Sequence, residues 1–389
     1  MEKSNRLVSL DLLRGLDIFL LTVVCGIFSG IHGIWPQPDW LLAQFRHPAW
    51  VGFSTHDLIM PLFIFMTGAA LPLALKKRLN PDGSAGWTYW RHVLSRVAML
   101  WFWGLCVQGC LLSFDLTKIS FFNNTLQTIA VGYLITAAVA RIPSKTVRIA
   151  FPFLLAALYT SLVHGLGDLT PTGNFAVVYE TKLLKFFYPS FYWDKLCITQ
   201  IADWHYTWWP TVPMFGAMAL AGYHATEIIL APATGMQKTA RLAAVGLGLL
   251  ALGGLLLTFD PCVKHIFTAS FTALAMGCNF IFFAVCYYCA DVRGVRRGQS
   301  LVLLFGRHSL LAYLLGSVLS APVRSLTRRF LCDGQGDFSH GLMRFVSEPV
   351  ATLIMTVCSA AILCFTLWAW HEWQLRTSRR NTQPPSAGS

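Results

Sequence analysis

The chain reads as a succession of long apolar stretches divided by short polar ones. Each stretch runs roughly 18–25 residues, which a helix rising about 1.5 Å per residue needs to cross a hydrocarbon core about 30 Å thick. They are too long for strands and lack period-two alternation. The pattern predicts an all-α, polytopic membrane protein of ten spans: Leu10–Trp35, Asp57–Leu75, Val93–Phe114, Thr125–Ala140, Ile149–Leu166, Trp209–Leu230, Leu242–Phe259, Phe267–Ala290, Leu301–Pro322 and Val346–Trp373.

An even number of spans puts both ends on one side. With the N-terminus inside, 18 of the 30 basic residues fall in inner segments and ten in outer ones, so the positive-inside rule predicts an N-in, C-in arrangement. Apolar sequence starts near Val8 and continues as the first span, which reads as an anchor rather than a cleavable signal. One transmembrane domain over 1–375 is expected, followed by a polar, Pro/Ser-rich, disordered cytoplasmic tail over 376–389.

Composition agrees with a lipid environment: 55% of residues are hydrophobic and only 12% charged, about half the charged share of ordinary soluble domains. The net charge of +12 is a basic inner face against anionic lipid. No compact Lys/Arg stripe is interleaved with aromatics, and no nucleic-acid partner is expected. Eight of the eleven cysteines lie in predicted spans, where they act as small apolar packers, so Cys286-Tyr-Tyr-Cys289 is not read as a redox motif. Cys197, Cys262 and Cys332 fall on the outer side, where one disulfide is permitted.

Ionisable groups at membrane depth cost about 2.5–3.5 kcal/mol each on insertion scales, so they mark sites worth inspecting. The first span opens with Asp11, Arg14 and Asp17, whose spacing lets both carboxylates flank one guanidinium on a helix face. The cluster is either self-neutralised structure or the lining of an inner cavity mouth, where Arg14 would meet a phosphate. The outer side carries the second concentration, Arg46-His47-Pro48-Ala49-Trp50 followed by His56-Asp57, where a loop re-enters the membrane. Histidine moves protons near neutral pH, and a carboxylate on its far nitrogen fixes its tautomer. An interfacial histidine beside tryptophans is equally compatible with the aromatic belt. His308, inside a predicted span, lines a cavity or bonds a neighbouring helix. The aromatic outer segment Gly167–Trp208 suits a membrane surface or a sugar ring alike.

Taken in order, these residues resemble a known family. Ser9-Leu10-Asp11-x-x-Arg14-Gly15 and His47-x-x-Trp50-x-Gly52-x-x-x-x-Asp57-Leu58-Ile59-x-Pro61-x-Phe63-x-Phe65-x-x-Gly68 resemble the heparan-α-glucosaminide N-acetyltransferase family in its short bacterial form. Leu126-Gln127-Thr128-Ile129-Ala130, Thr211-Val212-Pro213, Pro261-x-x-Lys264-x-x-Phe267-Thr268-x-Ser270-Phe271 and the Gly306 segment follow in family order. Cys25 and His308 stand where the family has asparagines, and Thr128 replaces an arginine.

The resemblance implies a multi-pass inner-membrane enzyme that moves an acetyl group from cytoplasmic acetyl-CoA to the amine of an outer amino sugar. It places the active-site histidine at His47, with Asp57 its expected orienter and His56 an equally near neighbour. The cofactor's nucleotide end is expected at Arg14, Arg91 or Arg96, and the acceptor near Trp50, His56, Lys264 and His308. His47 acts as a general base or carries the acetyl group as an acyl-imidazole. The partners expected are acetyl-CoA, a glycan acceptor, the lipid bilayer and a second copy in a homodimer; no metal is expected. A sugar transporter or export partner, and a glycan O-acyltransferase, are the competing readings.

Overall fold

The computed structural model describes residues 7–80, 82–107, 111, 122, 124–187, 207–295, 297–316 and 347–382. Among them the chain is helical, and its only strand-like pairings are two isolated bridges, Val51 with Val263 and Asp168 with Asn174. The principal helices are α1 (Val8–Phe19), α2 (Cys25–Ile34), α3 (Ile59–Leu75), α4 (Trp87–Val107), α5 (Thr125–Val139), α6 (Lys145–Leu166), α7 (Phe175–Phe187), α8 (Val212–Leu230), α9 (Gly235–Leu256), α10 (Ala269–Tyr287), α11 (Ser300–Arg307) and α12 (Glu348–Thr382). A π-turn, Leu20–Val24, joins α1 to α2.

Six helical segments are long and apolar enough to cross a membrane: Val8–Ile34, Thr55–Leu75, Lys145–Leu166, Gly235–Leu256, Ala269–Val292 and Leu353–Ser378. The protein is therefore an all-helical membrane protein. The other four expected spans correspond to α4, α5, α8 and α11, which fall outside that group. α5 has only 15 residues, short for a bilayer, and α4 carries Arg91, His92 and Arg96 in its opening turns. The expected ends at Phe114 and Pro322 and the start at Val346 lie outside the described residues, as do Cys197 and Cys332. Cys262 is a buried free thiol.

Local sequence sets the helix starts. Asn124 accepts from Gln127 N at the head of α5, Ser144 from Val147 N at α6, and Thr268 from Phe271 N at α10. Thr234 and Gln237 form a reciprocal capping box at α9.

Chain contacts gather into two compact units: Met1–Leu10 with Ala43–Val295, and Asp11–Leu42 with Arg296–Ser389. The first is centred on α3 and α8. A Cβ added at Gly68 would lie 1.7 Å from Ala219 O, and one at Gly222 would lie 1.8 Å from Phe65 O, so only glycine permits the two backbones to touch. Because lipid is as apolar as leucine, such close backbone approach is a main source of helix association in a bilayer. In the second unit Gly15 meets Val302 O at 1.9 Å and Gly306 meets Asp11 O at 1.7 Å by the same measure.

At the C-terminal end, where a disordered tail is expected from residue 376, α12 continues to Thr382. Once a helix of this length exists, each further residue adds a hydrogen bond without a new nucleation cost. Residues 383–389 lie outside the described residues.

Candidate functional site

The loop between Phe45 and α3 is built to hold one carboxylate still. Ser54 has an extended backbone and starts a 3₁₀ turn, Thr55–Leu58, that leads into α3. Its N–H and hydroxyl both donate to Asp57 Oδ2, at 3.1 and 3.0 Å. Upstream, Gly52 N donates to Cys262 O at 2.9 Å and Val51 bridges Val263 in antiparallel fashion. Gly52 has φ +148°, and a Cβ there would lie 2.8 Å from the Pro48 ring, so glycine is required.

That bridge brings in the segment between α9 and α10. Asp260 anchors it: its Oδ2 accepts from Ser270 N at 2.9 Å and its Oδ1 pairs with His164 Nε2 at 2.9 Å. Val263 N donates to Thr268 Oγ1, Tyr159 OH to Ile266 O at 2.6 Å, and Trp208 Nε1 to His265 O at 3.0 Å. Phe267 adopts φ +49°, a strained value for a bulky residue, and the surrounding bonds hold it there.

Lys264 is thereby carried onto Asp57. Its Nζ lies 3.1 Å from Asp57 Oδ1, and His47 Nδ1 lies 2.6 Å from the same oxygen. Asp57 is fully buried and receives four donors, which marks it as an ionised acceptor. The Nδ1 proton of His47 points along the shorter contact to Asp57, an assignment from the hydrogen-bond network, and leaves Nε2 as the lone-pair nitrogen. Lys264 Nζ also stands 3.1 and 3.4 Å from the two ring nitrogens, so a cation sits against the imidazole. Burial pushes the lysine below its ordinary value, opposed by the charge of Asp57. The His47 side chain is 46% exposed, so a buried acid orients a base that faces outward.

Two more expected residues border this group. His56 packs edge-on against His47 with ring centroids 4.4 Å apart. Trp50 stacks on His265 at 5.3 Å and donates its indole N–H to Leu169 O at 2.7 Å, tying the loop to the aromatic outer segment. Within that segment Glu180 on α7 is buried and accepts from Trp209 N at 2.6 Å, and burial pushes its carboxyl up to about 8. The part of the segment over residues 188–206 lies outside the described residues.

The remaining expected residues are elsewhere. Arg91 and Arg96 lie in the first half of α4, whose Tyr89 and Val93 pack with Leu71 and Leu75 at the far end of α3, about 25 Å along the helix from Asp57. The Arg96 guanidinium lies over the Tyr133 ring, 5.1 Å from its centroid. Arg14 and His308 belong to the second unit. Arg14 is 3.8 Å from Asp11, but Asp17 does not flank it: neither Asp17 oxygen has a hydrogen-bond partner among the described residues, which corrects the expected three-residue cluster. His308 Nε2 lies 3.1 Å from His371 Nδ1, a contact between helices. Ser54 was not singled out from sequence, although Ser54-Thr55-His56-Asp57 has capping-box spacing with aspartate in the acidic place. Among the described residues no cluster of three or more His, Cys, Asp or Glu could hold a metal ion.

Residues 6–137, about a third of the chain, match a family described as a domain of unknown function, DUF5009. The match takes in His47 and Asp57 and ends well before Lys264. The comparison with curated proteins gives no match.

Proposed function

We propose that this protein is a transmembrane acetyltransferase that moves an acetyl group from cytoplasmic acetyl-CoA to the amine of a terminal amino sugar on the outer side of the inner membrane. In this reading the chain has ten spans with both ends inside, and it belongs with the heparan-α-glucosaminide N-acetyltransferases that its motifs resemble. The observation that carries the reading is the assembly of His47, Asp57 and Lys264 on one carboxylate oxygen.

Asp57 holds Nδ1 of His47, so Nε2 accepts the proton of the attacking amine and later returns it to the departing thiolate. The ammonium of Lys264 supplies positive charge beside the base, suited to the oxyanion that develops during acyl transfer. Acetyl-CoA supplies the activated acetyl thioester. Its phosphates suit a cleft of about 400 Å³ at the far end of α3, lined by Lys76, Arg141 and the tyrosines Tyr89 and Tyr223, with Arg141 lying over the Tyr89 ring. That cleft gathers Lys76, Arg141 and Lys145 on one opening, which Arg91 and Arg96 do not line, and so suits the nucleotide end better.

The test is transfer from labelled acetyl-CoA to amine- and hydroxyl-bearing glycans by purified protein. Wild type should yield an N-acetylated product, and His47→Ala should lower the rate by about 10²–10⁴-fold with acetyl-CoA binding intact. A drop below tenfold, or no labelled product from any acceptor, would remove the proposal. O-acetylated product alone would move it to the O-acyltransferase reading.

A further inference from the structure

The first unit holds a second, larger opening, a cleft of about 500 Å³ whose walls are α6 and α9 and whose floor is α8 and α10. α6 packs on α8, where Leu155 approaches Gly216, and α9 packs on α10, where Gly246 approaches Gly277. The walls between them are hydrocarbon, with Phe153 and Ala156 from α6 facing Leu249 and Leu252 from α9. Water gains nothing in such a space, and the surrounding solvent at that depth is lipid chain. From Arg241 to Leu256 the cleft follows α9 for about 22 Å, the scale of one extended acyl chain.

Only one end of the cleft is charged, and its charge is net positive. Pro152 lies within α6 and lacks an N–H, which releases the carbonyl of Arg148 one turn earlier, and His224 Nε2 takes up that oxygen at 3.0 Å. Glu227 is engaged by His224 at 2.8 Å and by Arg148 at 3.6 Å. Lys145 and Arg241, which also line this end, have no carboxylate partner among the described residues. An apolar trough ending in two uncompensated cations has the polarity of an anionic amphiphile, with phosphate at the cations and chain along the trough.

We propose that one acyl chain of an anionic phospholipid lies between α6 and α9, with its phosphate held by Lys145 and Arg241. The proposal needs only that the chain is embedded in a membrane, and it stands whether or not the protein transfers acetyl groups. In the proposed orientation the lipid belongs to the inner leaflet. Lys145 borders the smaller cleft as well, whereas Arg241 lines only this one, so Arg241 gives the cleaner test. The alternative is that both residues are interfacial anchors that reach the headgroup layer without choosing a lipid.

The full chain, reconstituted in phosphatidylcholine vesicles with a trace of phosphatidylglycerol bearing a photoreactive group midway along its chain, provides the test. Labelling should concentrate on α6 and α9 residues facing the cleft, and unlabelled phosphatidylglycerol should compete while glycerol phosphate should not. Arg241→Gln alone should lower the labelling severalfold, and Arg241→Gln with Lys145→Gln about tenfold, since charge-assisted phosphate contacts are lost. Ala156→Trp should abolish it by filling the trough, and the exposed charge variants keep the test valid if that variant fails to fold. Equal labelling by a phosphatidylcholine probe, labelling spread evenly over α12, indifference to the two charge substitutions, or competition by glycerol phosphate would each overturn the proposal.

Discussion

Asp57 and Asp17 are both buried carboxylates in helices apolar enough to span a membrane, and they stand at opposite extremes of partnership. Asp57 receives Ser54 twice, His47 and Lys264, partners spread over more than two hundred residues of sequence. Asp17 is 2% exposed and has no hydrogen bond among the described residues. A charge placed in a span is therefore an incomplete signal of a site. Partners recruited from distant segments, and held there by backbone bonds such as Gly52 N to Cys262 O, distinguish the two.

The largest expected effect tests that distinction directly. Asp57→Asn leaves Lys264 buried beside a neutral amide, and removal of one partner from a buried pair costs about 3–5 kcal/mol. Asp17→Asn removes no partner and should cost about 1 kcal/mol or less. Thermal unfolding of both variants in detergent gives the comparison. Equal losses would dissolve it, and so would a failure of Lys264→Met to recover part of the loss in the Asp57→Asn background.

How much of this was readable beforehand varies residue by residue. His47 and Asp57 lie ten apart in a loop re-entering an apolar stretch; local pattern drew attention to both, while the family resemblance named His47 and left Asp57 and His56 as its near neighbours. Lys264 entered only through a motif resemblance and was assigned to the acceptor, because it lies 217 positions from His47 and nothing in the sequence between announces the bridge of Val51 with Val263. Asp11, Arg14 and Asp17 had ideal helical spacing, yet the side chains pair only as Asp11 with Arg14. Helical class was legible from hydropathy alone, and the number of spans turns on helices such as α5, with only 15 residues, and α4, whose opening turns are basic.

Glu180 gives an intermediate case, a buried carboxylate with one backbone donor, and it should show an intermediate effect. Its folded value of about 8 against an ordinary 4.5 means that the folded state binds the proton more tightly. Its stabilising contribution is complete below 4.5 and is lost as pH rises through 8. Glu180→Gln should therefore gain on wild type progressively as pH rises from about 5 to about 9. Unfolding temperatures of the two proteins that run parallel over that range would show that Glu180 is ionised throughout and better partnered than a single N–H allows.

Ser54→Ala is the smallest step and asks whether Asp57 depends on all four donors or on the ionic ones. The hydroxyl contact at 3.0 Å is removed, while the Ser54 N–H at 3.1 Å, His47 and Lys264 remain. A single hydrogen bond to a carboxylate contributes about 1.5–3 kcal/mol, and the retained backbone donor should keep the loss near the bottom of that range. Transfer should fall less than tenfold, because the 2.6 Å contact that fixes His47 is made by the other carboxylate oxygen. A loss matching that of Asp57→Asn would mean that the capping turn, rather than the ion pair, positions the acid. The comparison between Asp57 and Asp17 would then reduce to one carboxylate held by a capping turn at a helix start and one inside a helix without such a turn.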